Sequence, residues 1–459
     1  MARRDVHNEK KPDPSPENPA KHHILPTYWQ GGKLKTKGVV QEGESGRSGF
    51  HPFHFLHVAW HNANNVSKWL NILWPFVPAA IAAHYLLHDH HATIFALCYL
   101  AVIPAANMLG FAGQELARKL PRVFGILVET TLGSVVEIIL FMVLAVRAAS
   151  NATYIPVLQA AILGSIMTNL LLCLGFCFLI GGMKNDGEQK FHPVISETGS
   201  GILLVAGFAL LIPSAFFSAL QSLTVSGTGN ENARAAGYNI EQLNHDTRGI
   251  SHGTSIILIA AFLVYLLYCV TSAHSVFDEI LERDEKMDND RHRDLKKKKF
   301  TMLECVIAII ISVALVALVV VFLVSEIHYI VEERHIPDAF LGFILVPLVE
   351  KLAEHVTAID EAYDNQINFA LYHCIGPSIQ TALFNAPLTV IVSWCLGSTM
   401  DLNFEIFMIV ILVLSILVVG SFLRDGSSNW LEGALLLIVY AVIALATWYY
   451  PNPDVTAVE

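Results

Sequence analysis

Apolar residues run through this chain in long blocks separated by short polar segments, and the blocks have the length of a helix crossing a lipid bilayer, about 20 residues. They fall at residues 69–87, 92–116, 123–147, 154–181, 199–221, 251–274, 301–325, 337–358, 367–396, 404–423 and 430–449. The pattern predicts an all-α polytopic membrane protein with about eleven transmembrane helices. An outer-membrane barrel would instead alternate apolar and polar positions strand by strand. Several blocks are interrupted, as at Leu163-Gly164-Ser165 and Cys374-Ile375-Gly376-Pro377-Ser378. A backbone broken at membrane depth must be satisfied by neighbouring helices or by a water-filled cavity.

The polar segments divide the chain further. Residues 1–68 form a Pro-, Lys- and His-containing cytosolic tail, expected to be disordered at first. Its end, Phe53-His54-Phe55-Leu56-His57-Val58-Ala59-Trp60, is a candidate interfacial helix lying on the membrane or against the bundle. The histidines there read as surface residues rather than as a metal or pH-sensing cluster. Residues 69–91 carry an extra N-terminal transmembrane helix, 92–274 a first five-helix repeat, 275–300 a charged cytosolic linker ending in Lys296-Lys297-Lys298-Lys299, 301–449 a second five-helix repeat, and 450–459 a lumenal tail. An odd number of spans per repeat places the two repeats in opposite orientations, an inverted repeat. Lys and Arg are concentrated in loops on the same side as a cytosolic N-terminus, as the positive-inside rule requires.

Composition narrows the class. With 54% hydrophobic and 15% charged residues in 459, the chain is too apolar for a soluble globular protein of this size. The formal charge of −11 gives no basis for nucleic-acid binding, because much of the acid lies in loops and inside the bundle. The seven cysteines all fall in predicted spans without a metal-like or paired spacing, and read as small packing residues. No apolar leader segment precedes the first span, so that span is expected to direct insertion.

The chemistry lies in acids set within apolar sequence. An ionisable residue at membrane depth is costly and marks an ion path or proton relay by default. In the first repeat, Glu129 and Glu137 flank Gly133-Ser134, where small residues allow close approach to the backbone, and the next span offers Ser165, Thr168 and Asn169. In the second repeat, Glu350, Glu354 and Glu361 share a helix face with His355 nearby, and the next span offers Ser378, Gln380 and Thr381. Carboxylates joined by hydroxyl and amide oxygens suit a hard cation. Glu137 and Glu354, one from each repeat, are the expected pair that holds a cation or carries protons, with Glu129, Glu350, His355, Ser134, Ser165, Thr168, Asn169, Ser378 and Gln380 as further candidate ligands. Lys351 beside Glu350 leaves open whether that pair binds an ion or makes a structural contact. No enzyme is expected: Glu354-His355 lacks the second His of a His-Glu-x-x-His zinc helix.

At these residues the sequence resembles the calcium/cation antiporter superfamily, specifically cation/proton exchangers of the vacuolar calcium/proton exchanger type. The matches are Gly133-Ser134-Val135-Val136-Glu137 and Glu350-Lys351-Leu352-Ala353-Glu354-His355, against Gly-Asn-Ala-Thr-Glu-like and Gly-Asn-Ala-Ala-Glu-His motifs. The similarity extends through residues 163–172, 181–191, 376–384 and 425–433. Ser134 replaces the Asn of the first motif and Glu350-Lys351 replaces the Gly-Asn of the second, so two amide ligands of the usual calcium site are missing. Val349-Glu350-Lys351 with Ala358-Ile359-Asp360-Glu361-Ala362 is similar to the fungal branch containing vacuolar sodium- and potassium/proton antiporters. The resemblance implies an integral protein of an endomembrane, either vacuole or endoplasmic reticulum, exchanging cytosolic Ca2+ or Na+/K+ for lumenal protons by alternating access. It implies the lipid bilayer, inorganic cations and protons as partners, and no cofactor. A non-exchanging channel or sensor on the same fold is the alternative.

Overall fold

The computed structural model describes residues 27–30, 33–36, 43, 45–47, 49–61, 67–87, 89–120, 122–185, 187–225, 240–272 and 297–452. Residues 275–296 of the expected linker, residues 453–459 of the expected lumenal tail and most of the expected cytosolic tail lie outside them. Within the tail, β1 (Thr27–Gln30) and β2 (Lys33–Thr36) form an antiparallel pair where no regular structure is expected.

The candidate interfacial helix is α1 (Pro52–His61). It docks on the bundle: Val58 is buried, and Phe55 stacks on Phe300 at 5.3 Å between ring centroids. His54 is not the surface residue expected. Its Nδ1 lies 3.1 Å from the buried Glu304, which also accepts from the His51 amide. Glu304 cannot sit inside the bundle without such partners, and α1 supplies them.

Helix α2 (Lys68–Leu86) is the extra N-terminal span. The first half continues through α3 (His91–Ala117), α4 (Arg122–Gly133), α5 (Val135–Ser150), α6 (Tyr154–Lys184), α7 (Pro193–Val225) and α8 (Ile240–Ser272). The second runs through α9 (Met302–Arg334), α10 (Val346–Tyr363), α11 (Ile367–Cys395), α12 (Ile406–Asp425) and α13 (Trp430–Trp448). Counting α4 with α5 as one broken span, both halves have the same five-span order. Among the described residues, nine helices are long and apolar enough to cross a membrane by length and composition. The two other expected spans, 123–147 and 337–358, are helical but broken, and they hold Glu129, Glu137, Glu350 and Glu354.

The breaks are matched between halves. The span formed by α4 and α5 is interrupted at Ser134, and α10 is preceded by a π-helical segment, Leu341–Leu345. The following span of each half also contains a π-helical segment, Thr168–Cys173 in α6 and Thr381–Asn385 in α11. Single π-helical turns inside α-helices are often found at functional sites. The Leu345 carbonyl is satisfied by the Tyr99 hydroxyl at 2.8 Å.

Small residues let these broken spans cross. A Cβ on Gly164 of α6 would lie 2.3 Å from the Phe343 carbonyl oxygen, and one on Gly342 would lie 2.5 Å from the Val157 carbonyl oxygen. At the periphery, α3 packs along α9, with His91 Nδ1 2.7 Å from Glu326. Strand β3 (Glu188–Lys190) pairs antiparallel with β4 (Ser427–Asn429), tying the two halves together at one end of the bundle. Asn429 then caps α13 through a capping box with Glu432.

Candidate functional site

The helix break at Ser134 puts Glu137 in the first turn of α5, where unpaired amides favour a carboxylate. Glu137 is fully buried. Its Oε1 accepts a 2.6 Å hydrogen bond from the Thr381 hydroxyl, at the start of the π-helical segment of α11. Its Oε2 faces the Lys351 ammonium at 2.9 Å, a charge contact rather than an aligned hydrogen bond.

Lys351 stands between the two principal acids. Its Nζ is 3.4 Å from Glu354 Oε2, and its side chain is 1% exposed. The space between Glu137 and Glu354, where a bound cation is expected, therefore contains the protein's own ammonium group. Gly133 lets Glu354 reach the break: a Cβ there would stand 3.0 Å from Glu354 Oε1. Glu350, one residue before Lys351, is buried with neither carboxylate oxygen hydrogen-bonded. Of the two readings open for Glu350-Lys351, ion binding or a structural interaction with other helices, Lys351 does contact another helix through Glu137, while neither Glu350 oxygen carries a hydrogen bond.

The polar oxygens of α6 and α11 divide into two sets. Thr168 and Ser378 donate to carbonyls one turn back, Gly164 and Cys374, both at 2.8 Å; Thr168 Oγ1 also accepts from the Tyr440 hydroxyl at 3.3 Å, while the Ser378 lone pairs stay available to a ligand. Ser165 Oγ, Gln380 Oε1 and Asn169 Nδ2 are buried without a hydrogen-bond partner. Asn169 Oδ1 lies 3.0 Å from His355 Nε2, which makes that nitrogen the donor. His355 is thus held by α6 rather than aimed at the carboxylates. Ser134 is buried at the helix break itself.

Glu129 does not join Glu137. It faces His373 of α11, whose Nε2 is 3.5 Å from Glu129 and whose Nδ1 is 2.7 Å from Glu361. These two acids and the imidazole link α4, α10 and α11, and Glu129 and His373 stand at the wall of a cleft of about 1020 Å³, part of it open to solvent. Glu129, Glu350, Glu354, His373, Arg118 and Lys297 all line it. Glu354 side-chain exposure of 19% against 0% for Glu137 places Glu354 at the cleft end of the site.

Sequence patterns name Thr381 among the oxygens of the second repeat but do not reveal Lys351 or His373 as central residues. Lys351 is one position away from a chosen candidate, and helix rotation decides which side chain faces inward. Cys173, Cys177 and Cys374, expected as small packing residues, are buried, and their sulfurs all lie within 4.8 Å of one another, a proximity no local spacing announces.

Comparison with known proteins agrees with this architecture. The family model described as sodium/calcium exchanger protein matches residues 90–271 and 305–449, the two halves of the bundle. A vacuolar calcium ion transporter of Schizosaccharomyces pombe is 32% identical over 394 residues, covering 84% of this chain and 86% of its own. Vacuolar cation/proton exchanger 5 of Arabidopsis thaliana is 32% identical over 393 residues, covering 84% and 82%. Among solved structures, native YfkE aligns with a TM-score of 0.63 at 27% identity, covering 83% of this chain and all of that one. With both halves matched and acid-bearing broken helices crossing at their centre, this chain is an integral membrane transporter belonging to the sodium/calcium exchanger protein family.

Proposed function

We propose that the chain is a cation/proton antiporter of the vacuolar membrane, exchanging a cytosolic monovalent cation, Na+ or K+, for lumenal protons. The exchange of a cation for protons and the vacuolar location are supported by the names of the fungal and plant relatives. The monovalent substrate rests on one observation: Lys351 Nζ stands 2.9 Å from Glu137 and 3.4 Å from Glu354.

A fixed ammonium neutralises part of the carboxylate charge and repels a second cation in proportion to that cation's charge. Ca2+ takes six to eight oxygens and favours several carboxylates, yet two amide positions of the related motifs are here Ser134 and Glu350-Lys351. A monovalent ion tolerates this site better. In the proposed cycle, Lys351 stays beside the acids while a cation joins them, and Glu350 and the oxygens of Ser165 and Gln380 supply further ligands. The two inverted repeats then rock to expose the site to the lumen, where protons release the cation. Glu354, at the cleft, receives the ion first, and Glu137 holds it at depth.

Calcium is the second reading, favoured by the name of the fungal relative. Purified protein in liposomes with an imposed pH gradient distinguishes the two when Na+, K+, Ca2+ and Mn2+ compete for uptake. Proton-coupled Na+ or K+ uptake resistant to Ca2+ supports the monovalent assignment; proton-coupled Ca2+ uptake unaffected by Na+ and K+ rejects it. Voltage-driven conduction without proton movement would instead indicate a channel.

A further inference from the structure

The ion-exchange reading leaves three chemically distinctive side chains unused. Cys173 and Cys177 are one helical turn apart where the π-helical segment of α6 returns to α-helix, so both thiols project from one face. Cys374 lies on α11, in the other half of the chain, with its Sγ 3.4 Å from that of Cys173. All three residues are at most 1% exposed. The Cys374 thiol donates to Cys173 Sγ, and among the described residues none of the three is hydrogen-bonded through its sulfur to the Glu137–Lys351–Glu354 cluster.

From this arrangement we propose that Cys173, Cys177 and Cys374 form a three-sulfur binding site for a soft, thiophilic cation such as Cd2+ or Cu+. Three sulfurs around one metal at about 2.3 Å stand about 4 Å apart in a trigonal plane. The observed sulfurs lie within 4.8 Å of each other, so they need to move by less than about 1 Å each to reach that geometry. Soft cations prefer thiolates, whereas Na+, K+ and Ca2+ prefer the oxygens one to two helical turns away. Each thiol that becomes a ligand releases its proton.

The site lies behind the cleft wall and has a mechanical consequence. His373, next to Cys374 in sequence, lines the open cleft while the three cysteines do not, so an ion reaches the sulfurs only by passing that wall. A metal bound there joins α6 of the first repeat to α11 of the second. If exchange proceeds by rocking of the repeats, as proposed above, this bond clamps them; that consequence rests on the antiporter reading, while the binding site does not.

The test starts with full-length protein carrying Cys269→Ser and Cys395→Ser, which removes the two cysteines that are not buried. Titration with Cd2+ alone should produce a thiolate-to-metal charge-transfer absorption saturating at one equivalent per chain, a signal that carboxylate-bound Cd2+ does not give. Adding Cys374→Ala, or separately Cys173→Ala, should weaken binding at least tenfold while the variant remains monodisperse in gel filtration. An absent band, or an unchanged one in both variants, overturns the site. In liposomes, one equivalent of Cd2+ should slow cation/proton exchange at least tenfold in the parent but not in the Cys374→Ala variant. A saturating charge-transfer band without inhibition overturns the clamp and leaves the site standing. Exchange absent before Cd2+ is added, with the band intact, counts against the antiporter reading and not against the site.

Discussion

Replacing Lys351 by Asn removes the ammonium and restores an amide like that of the related motif. Nζ lies 2.9 Å from Glu137 and 3.4 Å from Glu354. An ion seated on those oxygens would stand about 4 Å from Nζ, where at an effective dielectric constant near 20 each unit of its charge is repelled by about 4 kcal/mol. A divalent ion therefore suffers about 4 kcal/mol more than a monovalent one. Removing the ammonium should shift relative affinity toward Ca2+ by up to about 10³-fold, at about 1.4 kcal/mol per factor of ten. The assay is pH-gradient-driven uptake into liposomes with Na+ and Ca2+ competing, comparing Lys351→Asn with Lys351→Arg. The Arg variant keeps the charge and should keep the monovalent preference. An unchanged preference in a folded Lys351→Asn variant would refute the argument that this ammonium sets the charge of the transported ion.

Other substitutions probe the supporting structure. Thr381→Val removes the 2.6 Å hydrogen bond to Glu137, and bonds to charged groups contribute about 1.5–3 kcal/mol, so half-saturation for the transported cation should rise about 10- to 100-fold. Gly164→Ala should lower the melting temperature sharply because its Cβ would meet the Phe343 carbonyl oxygen at 2.3 Å, whereas Gly201→Ala, with nothing within 4 Å, should leave it nearly unchanged; equal effects would remove the argument for a tight crossing. Asp401, in the loop between α11 and α12, is held at a pKa of about 6, above its ordinary 3.8, chiefly by burial, with the Asn403 amide and Arg248 opposing. The folded protein keeps this proton where the unfolded chain has lost it, so its contribution to stability falls as pH rises from 3.8 to about 6. Asp401→Asn should relieve a loss of up to about 3 kcal/mol over that window, read as a flatter dependence of melting temperature on pH.

Much of the architecture is legible because membranes simplify the code. Long apolar blocks must be helices, and costly acids within them stand out. Glu137, Glu354 and the polar positions that follow them are visible in this way, as are the matched small-residue interruptions. What remained hidden depends on rotation and distance. The π-helical segment at Leu341–Leu345 alters the helical phase ahead of α10, and no simple periodicity identifies which of Glu350 and Lys351 turns toward Glu137. Glu129 is in phase with Glu137 on a continuous helix, but the break at Ser134 separates them and His373 captures Glu129. Cys374 follows Cys173 by 201 residues, so no local spacing announces their contact. Likewise, His54 looks like an interfacial residue until the buried Glu304, 250 residues away, supplies its partner.

The central claim is that Glu137 and Glu354 together carry the cation and the protons. Its most direct test is cation uptake and proton efflux measured simultaneously in liposomes containing Glu137→Gln or Glu354→Gln, each checked for folding by gel filtration. The account predicts that both fluxes fall to background in each variant. Full, proton-coupled uptake by either variant would contradict it.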